Sequence, residues 1–227
     1  MMNQPYRATS IPASSSIEVD EGARKVLRNT WNLLAMTLAF SAIMAFVSMQ
    51  LNWPHFGLLT LVGYFGLLFL TVALRNSAWG LVAVFALTGF MGATLGPILS
   101  FYLSAFSNGG QIVTAAFGTT AVAFFGLSGF ALVTKKDFSF LGPMLFIGIW
   151  VAFFAGLAAY FFSMPALSLA VSAMFALLMS GLILFQTQQI VRGGERNYIM
   201  ATVTLFVSIY NLFTSLLHLF GFAFGEE

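Results

Sequence analysis

Charged residues are almost absent from the long stretch between Asn29 and Phe224. That stretch contains seven of them, in three short clusters: Arg75; Lys135, Lys136 and Asp137; and Arg192, Glu195 and Arg196. A charge at the centre of a bilayer costs about 3 kcal/mol or more, so clusters this sparse mark loops between membrane-spanning segments. The charge pattern therefore predicts an integral membrane protein and the positions of its loops.

Seven apolar runs lie between these clusters and the other breaks in the sequence. Each run is close to the length of about 20 residues that a helix needs to cross about 30 Å of hydrocarbon. The runs cover approximately residues 30–49, 55–74, 79–103, 111–133, 140–162, 166–185 and 198–222. We expect an all-α bundle of seven transmembrane helices in one domain, residues 29–224, after a flexible tail, residues 1–28. The sixth helix has no strong stop before Gln189 and could continue to it.

The basic residues predict the orientation of this bundle. They occur in the tail and in the second, fourth and sixth loops, whereas the first, third and fifth loops contain none. Because basic loops stay on the cytoplasmic side, the amino terminus is expected in the cytoplasm and Glu226 and Glu227 outside. A model with six or eight spans would break this alternation.

Composition argues against several classes of protein. The chain is 59% hydrophobic and 7% charged, whereas soluble proteins average about 25% charged residues. It has no cysteine and two histidines, and its bases are scattered, so neither a metal site nor nucleic-acid binding is expected. No Ser/His/Asp set, HExxH helix or pair of intramembrane carboxylates is present, so we assign no catalytic residue and no cofactor.

Polar residues form one stripe on the seventh predicted helix. They recur at spacings of four, three, four and three residues, which places them on one helix face: Thr204, Ser208, Asn211, Ser215 and His218. Gln186 extends this polar character at the inner end of the sixth helix. Such a face turns away from lipid, either to form interhelical hydrogen bonds or to line a pathway for cations or protons. His218 is the proton-sensitive member of the stripe.

The third predicted helix combines small residues with a proline. Gly92 and Gly96 form a small-xxx-small pair that permits close helix packing. Pro97 removes a backbone donor, so Gly96 and Pro97 are also a possible hinge, with a freed carbonyl near Ala93.

Several stretches resemble the Bax-inhibitor family of seven-helix membrane proteins. They are residues 193–205 (GGERNYIMATVTL), 209–213 (IYNLF), 96–100 (GPILS) and 135–141 (KKDFSFL). Residues 25–30 (KVLRNT) and 38–42 (LAFSA) further resemble the bacterial YccA-like branch of that family. Together these matches extend from about Lys25 to Gly221.

The resemblance implies a bundle whose polar seventh helix is central and wrapped by the other six. For the bacterial branch it implies an inner-membrane protein that binds the ATP-dependent protease FtsH and restrains it. For other relatives it implies a pH-sensitive calcium leak, controlled by one aspartate in each of the last two helices. Those two positions correspond here to Gln186 and Ser208, which cannot titrate as a carboxylate pair does.

Two main hypotheses follow, and a structural assembly factor is a third. The favoured one is a non-enzymatic regulator of an FtsH-type protease, with residues 1–28 as the segment that the protease grasps. The alternative is a cation or calcium leak along the stripe, with Arg75 as a possible counter-charge on the cytoplasmic side. The uncharged pair Gln186 and Ser208 favours partner binding.

Overall fold

The computed structural model describes residues 21–225, and within this range the regular secondary structure is entirely helical. Seven helices follow one another: α1 Glu21–Gln50, α2 Leu59–Leu74, α3 Trp79–Ala105, α4 Gly109–Val133, α5 Leu141–Phe161, α6 Pro165–Val191 and α7 Tyr198–Phe224. Six of these are long and apolar enough to cross a membrane. The exception is α2, whose 16 residues extend about 24 Å, somewhat less than the hydrocarbon core.

The first helix begins earlier than expected. It starts at Glu21, so residues 21–28, which we assigned to the flexible tail, are helical. Ala23 is buried, and Val26 and Leu27 pack against the core cluster that contains Ile199. Burial of this apolar side stabilises the extra helical turns beyond the apolar run. The rest of the predicted tail, residues 1–20, lies outside the described residues, as do Glu226 and Glu227.

Two other boundaries differ from the expected ones for local reasons. Helix α2 begins at Leu59 rather than near residue 55, since Pro54 and Gly57 (φ 55°) belong to the turn that precedes it. Helix α6 continues through Gln189 to Val191. Gln188, in this extension, is almost completely buried, so the last turns of α6 pack inside the protein rather than in solvent.

Helix α7 lies at the centre of a core layer. Four helices, rather than the expected six, pack against it: α1, α4 and α6 extensively, and α3 to a smaller extent. Helix α2 packs mainly on α3, and α5 packs mainly on α6, so these two form an outer layer. The long helices α3 and α6 therefore separate most of α2 and α5 from α7.

The closest packing in the bundle joins α1 to α3. A methyl group added at Gly92 would overlap the carbonyl oxygen of Ser41, and one added at Gly96 would overlap the Ser48 hydroxyl. The same methyl group at Gly96 would lie 2.7 Å from the carbonyl oxygen of Ala45. The small-xxx-small pair thus serves helix packing, and α3 continues as one helix through Pro97.

Candidate functional site

The polar stripe of α7 faces the protein interior. Ser208 and Ser215 are buried, and Thr204, Asn211 and His218 are partly buried. The Nδ1 atom of His218 lies 2.8 Å from the Ser172 hydroxyl of α6, which joins the two last helices. The stripe residues of α7 are therefore all at least partly buried.

Two stripe residues form hydrogen bonds within their own helix. The Ser208 hydroxyl donates to the carbonyl of Thr204 at 2.7 Å, and the Asn211 amide donates to the carbonyl of Val207 at 2.9 Å. Ser208 has no exposed surface. At this level α7 is packed against its neighbours, which favours a structural role for Ser208.

Gln186 lies buried in α6, with 7% of its surface exposed. Its amide nitrogen Nε2 has no hydrogen-bond partner among residues 21–225. The next residue, Thr187, lies 3.3 Å from the Ser128 hydroxyl of α4. No described hydrogen bond links Gln186 to Ser208, and both positions are uncharged.

A second polar cluster, which we term the loop clamp, joins the end of α6 to the loop between α4 and α5. Gln188 accepts a hydrogen bond from the backbone N–H of Phe138 (2.8 Å) and donates one to the carbonyl of Lys136 (2.7 Å). Arg192 donates to the same carbonyl at 2.6 Å and forms an ion pair with Asp137 at 3.3 Å. Gln188 of α6 and Arg192, the C-cap residue of α6, thus hold in place a loop that lies about 50 residues earlier in the sequence.

Asn197, just before the start of α7, joins a helix end to another loop through hydrogen bonds of its side chain. Its side-chain oxygen accepts from the backbone N–H groups of Ile199 (3.0 Å) and Met200 (3.1 Å), which caps the helix. Its side-chain nitrogen donates to the carbonyl of Arg75 (3.1 Å) and to the side-chain oxygen of Asn76 (2.9 Å). The loop between α2 and α3 is therefore tied to the loop between α6 and α7.

These contacts bring the three sparse charge clusters together at one end of the bundle, which we term the charged end. Arg75 lies here, with an exposed side chain, beside the first residues of α7. The structure does not bring its guanidinium to the polar stripe through any described contact, so its role as a counter-charge stays a prediction. Sequence reasoning missed Gln188 and Asn197, although an Asn just before a helix is a recognised N-cap signal.

The possible hinge borders a small cavity at the opposite end of the bundle. Ala93 and Pro97 line this space of about 30 Å³ together with His55 from the loop between α1 and α2. The volume is enough for about one water molecule. Ala93, whose carbonyl Pro97 leaves without its usual helical donor, is thus a lining residue of this cavity, and a hinge motion stays a prediction.

The carboxyl group of Asp137, in the loop clamp, has a shifted pKa that a titration can measure. Its carboxylate accepts hydrogen bonds from the hydroxyl (2.6 Å) and the backbone N–H (2.9 Å) of Ser139. These hydrogen bonds first, and then the positive charge of Arg192, lower the pKa of Asp137 from its ordinary value of 3.8. A lowered pKa favours the ionised form in the folded protein. The resulting stabilisation is therefore complete above the ordinary pKa and is lost as the pH falls through the lowered value.

We expect this shift to appear in a ¹³C NMR titration of aspartate-labelled protein in micelles. Ser139→Ala should raise the pKa of Asp137 toward 3.8, and Arg192→Met should raise it by less. Asp20 is the other aspartate in the sequence and supplies the internal reference signal. A pKa of Asp137 that stays the same in Ser139→Ala would contradict this account of the clamp.

Comparison with known proteins places the whole bundle in one family. The family model described as "Inhibitor of apoptosis-promoting Bax1" matches residues 23–225. An uncharacterized protein of Pseudomonas aeruginosa is 54% identical over 228 residues, which cover 100% of both chains. The modulator of FtsH protease YccA from Escherichia coli K12 is 54% identical over 200 residues, 88% of this chain and 90% of the relative. The inner membrane protein YccA from Escherichia coli O6:H1 matches to the same extent.

The match covers nearly all of α1 and every later helix, so it includes the polar stripe, the loop clamp and the charged end. It confirms the resemblance that the sequence motifs indicated, and the long apolar helices agree with a location in the membrane. The chain is a membrane protein of the Bax-inhibitor family and a homologue of YccA.

Proposed function

We propose that this protein is a non-enzymatic regulator located in the bacterial inner membrane. It binds an FtsH-type protease and restrains that protease. The observation that carries the proposal is the 54% identity with the Escherichia coli modulator of FtsH protease over 88% of the chain. The similarity to an inner membrane protein of the same name supports the location.

The interior of the bundle supports partner binding over a leak gated by carboxylates. The family resemblance implies that Gln186 and Ser208 correspond to the positions where the leak mechanism needs acids, and neither residue carries a titratable carboxylate. Ser208 is fully buried and its hydroxyl is bonded to the carbonyl of Thr204. A pair of buried carboxylates would trap a proton or a cation by mutual repulsion, whereas an amide and a hydroxyl have no equivalent titration.

The distribution of charge supports a cytoplasmic position for the charged end. Residues 21–225 contain eight basic and three acidic residues, all in α1 before Asn29 or in the loops at this end. The positive-inside rule orients such an end toward the cytoplasm. With seven crossings, we expect the carboxyl terminus in the periplasm and residues 1–20 in the cytoplasm, as the segment that the protease grasps.

The loop clamp gives this cytoplasmic face a defined shape. Gln188, Arg192 and Asn197 fix the two loops that carry Arg75, Lys135 and Lys136. Preorganised loops lose less conformational entropy on binding, so they suit a surface that a partner contacts. We expect the protease to contact this face and the segment of residues 1–20 together.

Removal of residues 2–20 tests the proposed role of the amino-terminal segment. Cells that express the truncated protein should degrade a membrane substrate of the protease faster than cells that express the full chain. A matched control replaces the same residues by a Gly/Ser segment of equal length, which separates the effect of length from that of sequence. Unchanged substrate half-life together with unchanged co-purification of the protease would contradict the role of this segment.

A further inference from the structure

A cavity of about 400 Å³ lies between the outer helices α2 and α5 and the central helix α7. Its volume is within the range of about 300 to 1,000 Å³ that is typical of small-molecule sites. Aromatic side chains form its outer wall, among them Phe65, Trp150 and Phe153. Polar side chains form its inner wall, among them Thr94, Tyr210 and Asn211.

The inner wall offers hydrogen-bonding groups close together. The Tyr210 hydroxyl lies 3.2 Å from the Thr94 hydroxyl, and these residues come from α7 and α3. Asn211 uses its side-chain nitrogen on the carbonyl of Val207. Its side-chain oxygen accepts no hydrogen bond from residues 21–225, so it can still accept one from a ligand.

The outer wall is open to the bilayer. Helices α2 and α5 meet there through the rings of Phe65 and Phe153, whose centroids are 5.8 Å apart. Trp150 is 43% exposed and Phe146, also a lining residue, is 66% exposed. Helices α2 and α5 pack mainly on α3 and α6 and not on each other, so side chains such as these rings border the entrance between them.

The lining contains no charged residue and no histidine. An ionised head group would enter this space without a counter-charge and would lose its hydration. A wholly apolar ligand would form no hydrogen bond with the Asn211 oxygen or with the Thr94 and Tyr210 hydroxyl groups. The lining therefore matches a molecule with an apolar body and a single uncharged polar head.

We propose that this cavity binds an uncharged amphiphile that enters from the bilayer, with a hydroxyl head and an apolar chain. The head hydrogen-bonds to Asn211 and Tyr210. The chain lies among the rings of α2 and α5. This site is independent of the charged end and does not depend on the proposed protease partner.

Photolabelling of the full-length protein in lipid nanodiscs tests the proposal. The probe is hexadecanol that carries a diazirine and a terminal alkyne, and mass spectrometry locates the labelled peptides. We expect saturable labelling of the α2, α5 and α7 peptides that line the cavity. Unlabelled hexadecanol should compete with the probe, and hexadecyl sulfate, with its permanent charge, should compete at least about tenfold less well.

Two variants and a matched control locate the labelling. Asn211→Leu removes the head-group acceptor and should weaken competition about fivefold, the effect of one lost neutral hydrogen bond. Leu61→Trp fills the cavity from α2 and should abolish saturable labelling. Val62→Trp places the same indole on the adjacent residue, which is 71% exposed and outside the cavity lining, and should leave labelling unchanged.

Each outcome supports or overturns the proposal. Monodisperse elution and an unchanged melting temperature establish that each variant is folded. Labelling spread over the lipid-exposed faces, not saturable and equal in Leu61→Trp and Val62→Trp, shows annular lipid contact only and overturns the site. Equal competition by hexadecanol and hexadecyl sulfate overturns the assignment of an uncharged head.

Discussion

Gly92→Ala is expected to destabilise the bundle by about 3 kcal/mol or more, although it adds a single methyl group. Overpacking costs about 1 to 3 kcal/mol where side chains can adjust. Here the added methyl group would overlap the backbone carbonyl of Ser41, so α1 and α3 themselves must separate. The midpoint of unfolding in mixed micelles, followed by circular dichroism as the fraction of sodium dodecyl sulfate increases, measures this loss.

Gly118→Ala is the matched control for this substitution. Gly118 is also a helical glycine, in α4, and no heavy atom outside its local backbone lies within 4 Å of a methyl group added there. Alanine favours a helix over glycine by up to about 1 kcal/mol, so this variant should be neutral or slightly more stable. Equal stability of Gly92→Ala and Gly118→Ala would show that the α1–α3 contact is looser than described.

Gln188→Leu is expected to have the second largest effect, a loss of about 1 to 3 kcal/mol. Gln188 is 2% exposed, and its amide pairs with the N–H of Phe138 and the carbonyl of Lys136. Leucine cannot accept from the Phe138 N–H, which loses this partner, whereas the Lys136 carbonyl keeps its hydrogen bond from Arg192. Leaving one such group unsatisfied costs about 1 to 3 kcal/mol. Faster amide hydrogen exchange in the loop of residues 134–140 would accompany the loss.

The neighbouring residue supplies the control for Gln188→Leu. The side-chain amide of Gln189 makes no described hydrogen bond with residues 21–225, so Gln189→Leu should change stability and exchange very little. If both variants protect residues 134–140 as well as the natural sequence does, the loop clamp does not determine the conformation of that loop.

Much of the bundle could be predicted because it follows from local sequence. Each of the seven apolar runs coincides with a helix, and in α7 the stripe residues Ser208 and Ser215 are buried. Hydrophobicity and a 3.6-residue period are properties of short segments, so they can be read without knowing the fold. The helix ends were less predictable, because the start of α1 depends on the packing of Val26 and Leu27 against the core cluster that contains Ile199.

The loop clamp and the cavity could not be predicted, because they depend on distant parts of the chain. Gln188 contacts a loop about 50 residues earlier, and Asn197 contacts Asn76 across about 120 residues. Before the fold is known, a glutamine at a helix end and an asparagine in a loop are compatible with simple solvation. The cavity likewise depends on five helices, and its polar inner wall combines Thr94 of α3 with Tyr210 and Asn211 of α7.

The partner that we propose for this protein is an FtsH-type protease in the membrane. Affinity purification from native membranes in a mild detergent, with the protein tagged and expressed at its natural level, tests this proposal most directly. We predict that the protease co-purifies with the tagged protein. In a control purification with an unrelated tagged protein that has several membrane spans, much less protease should be recovered. Recovery of the protease at the same level with both tagged proteins, or with neither, would contradict the account.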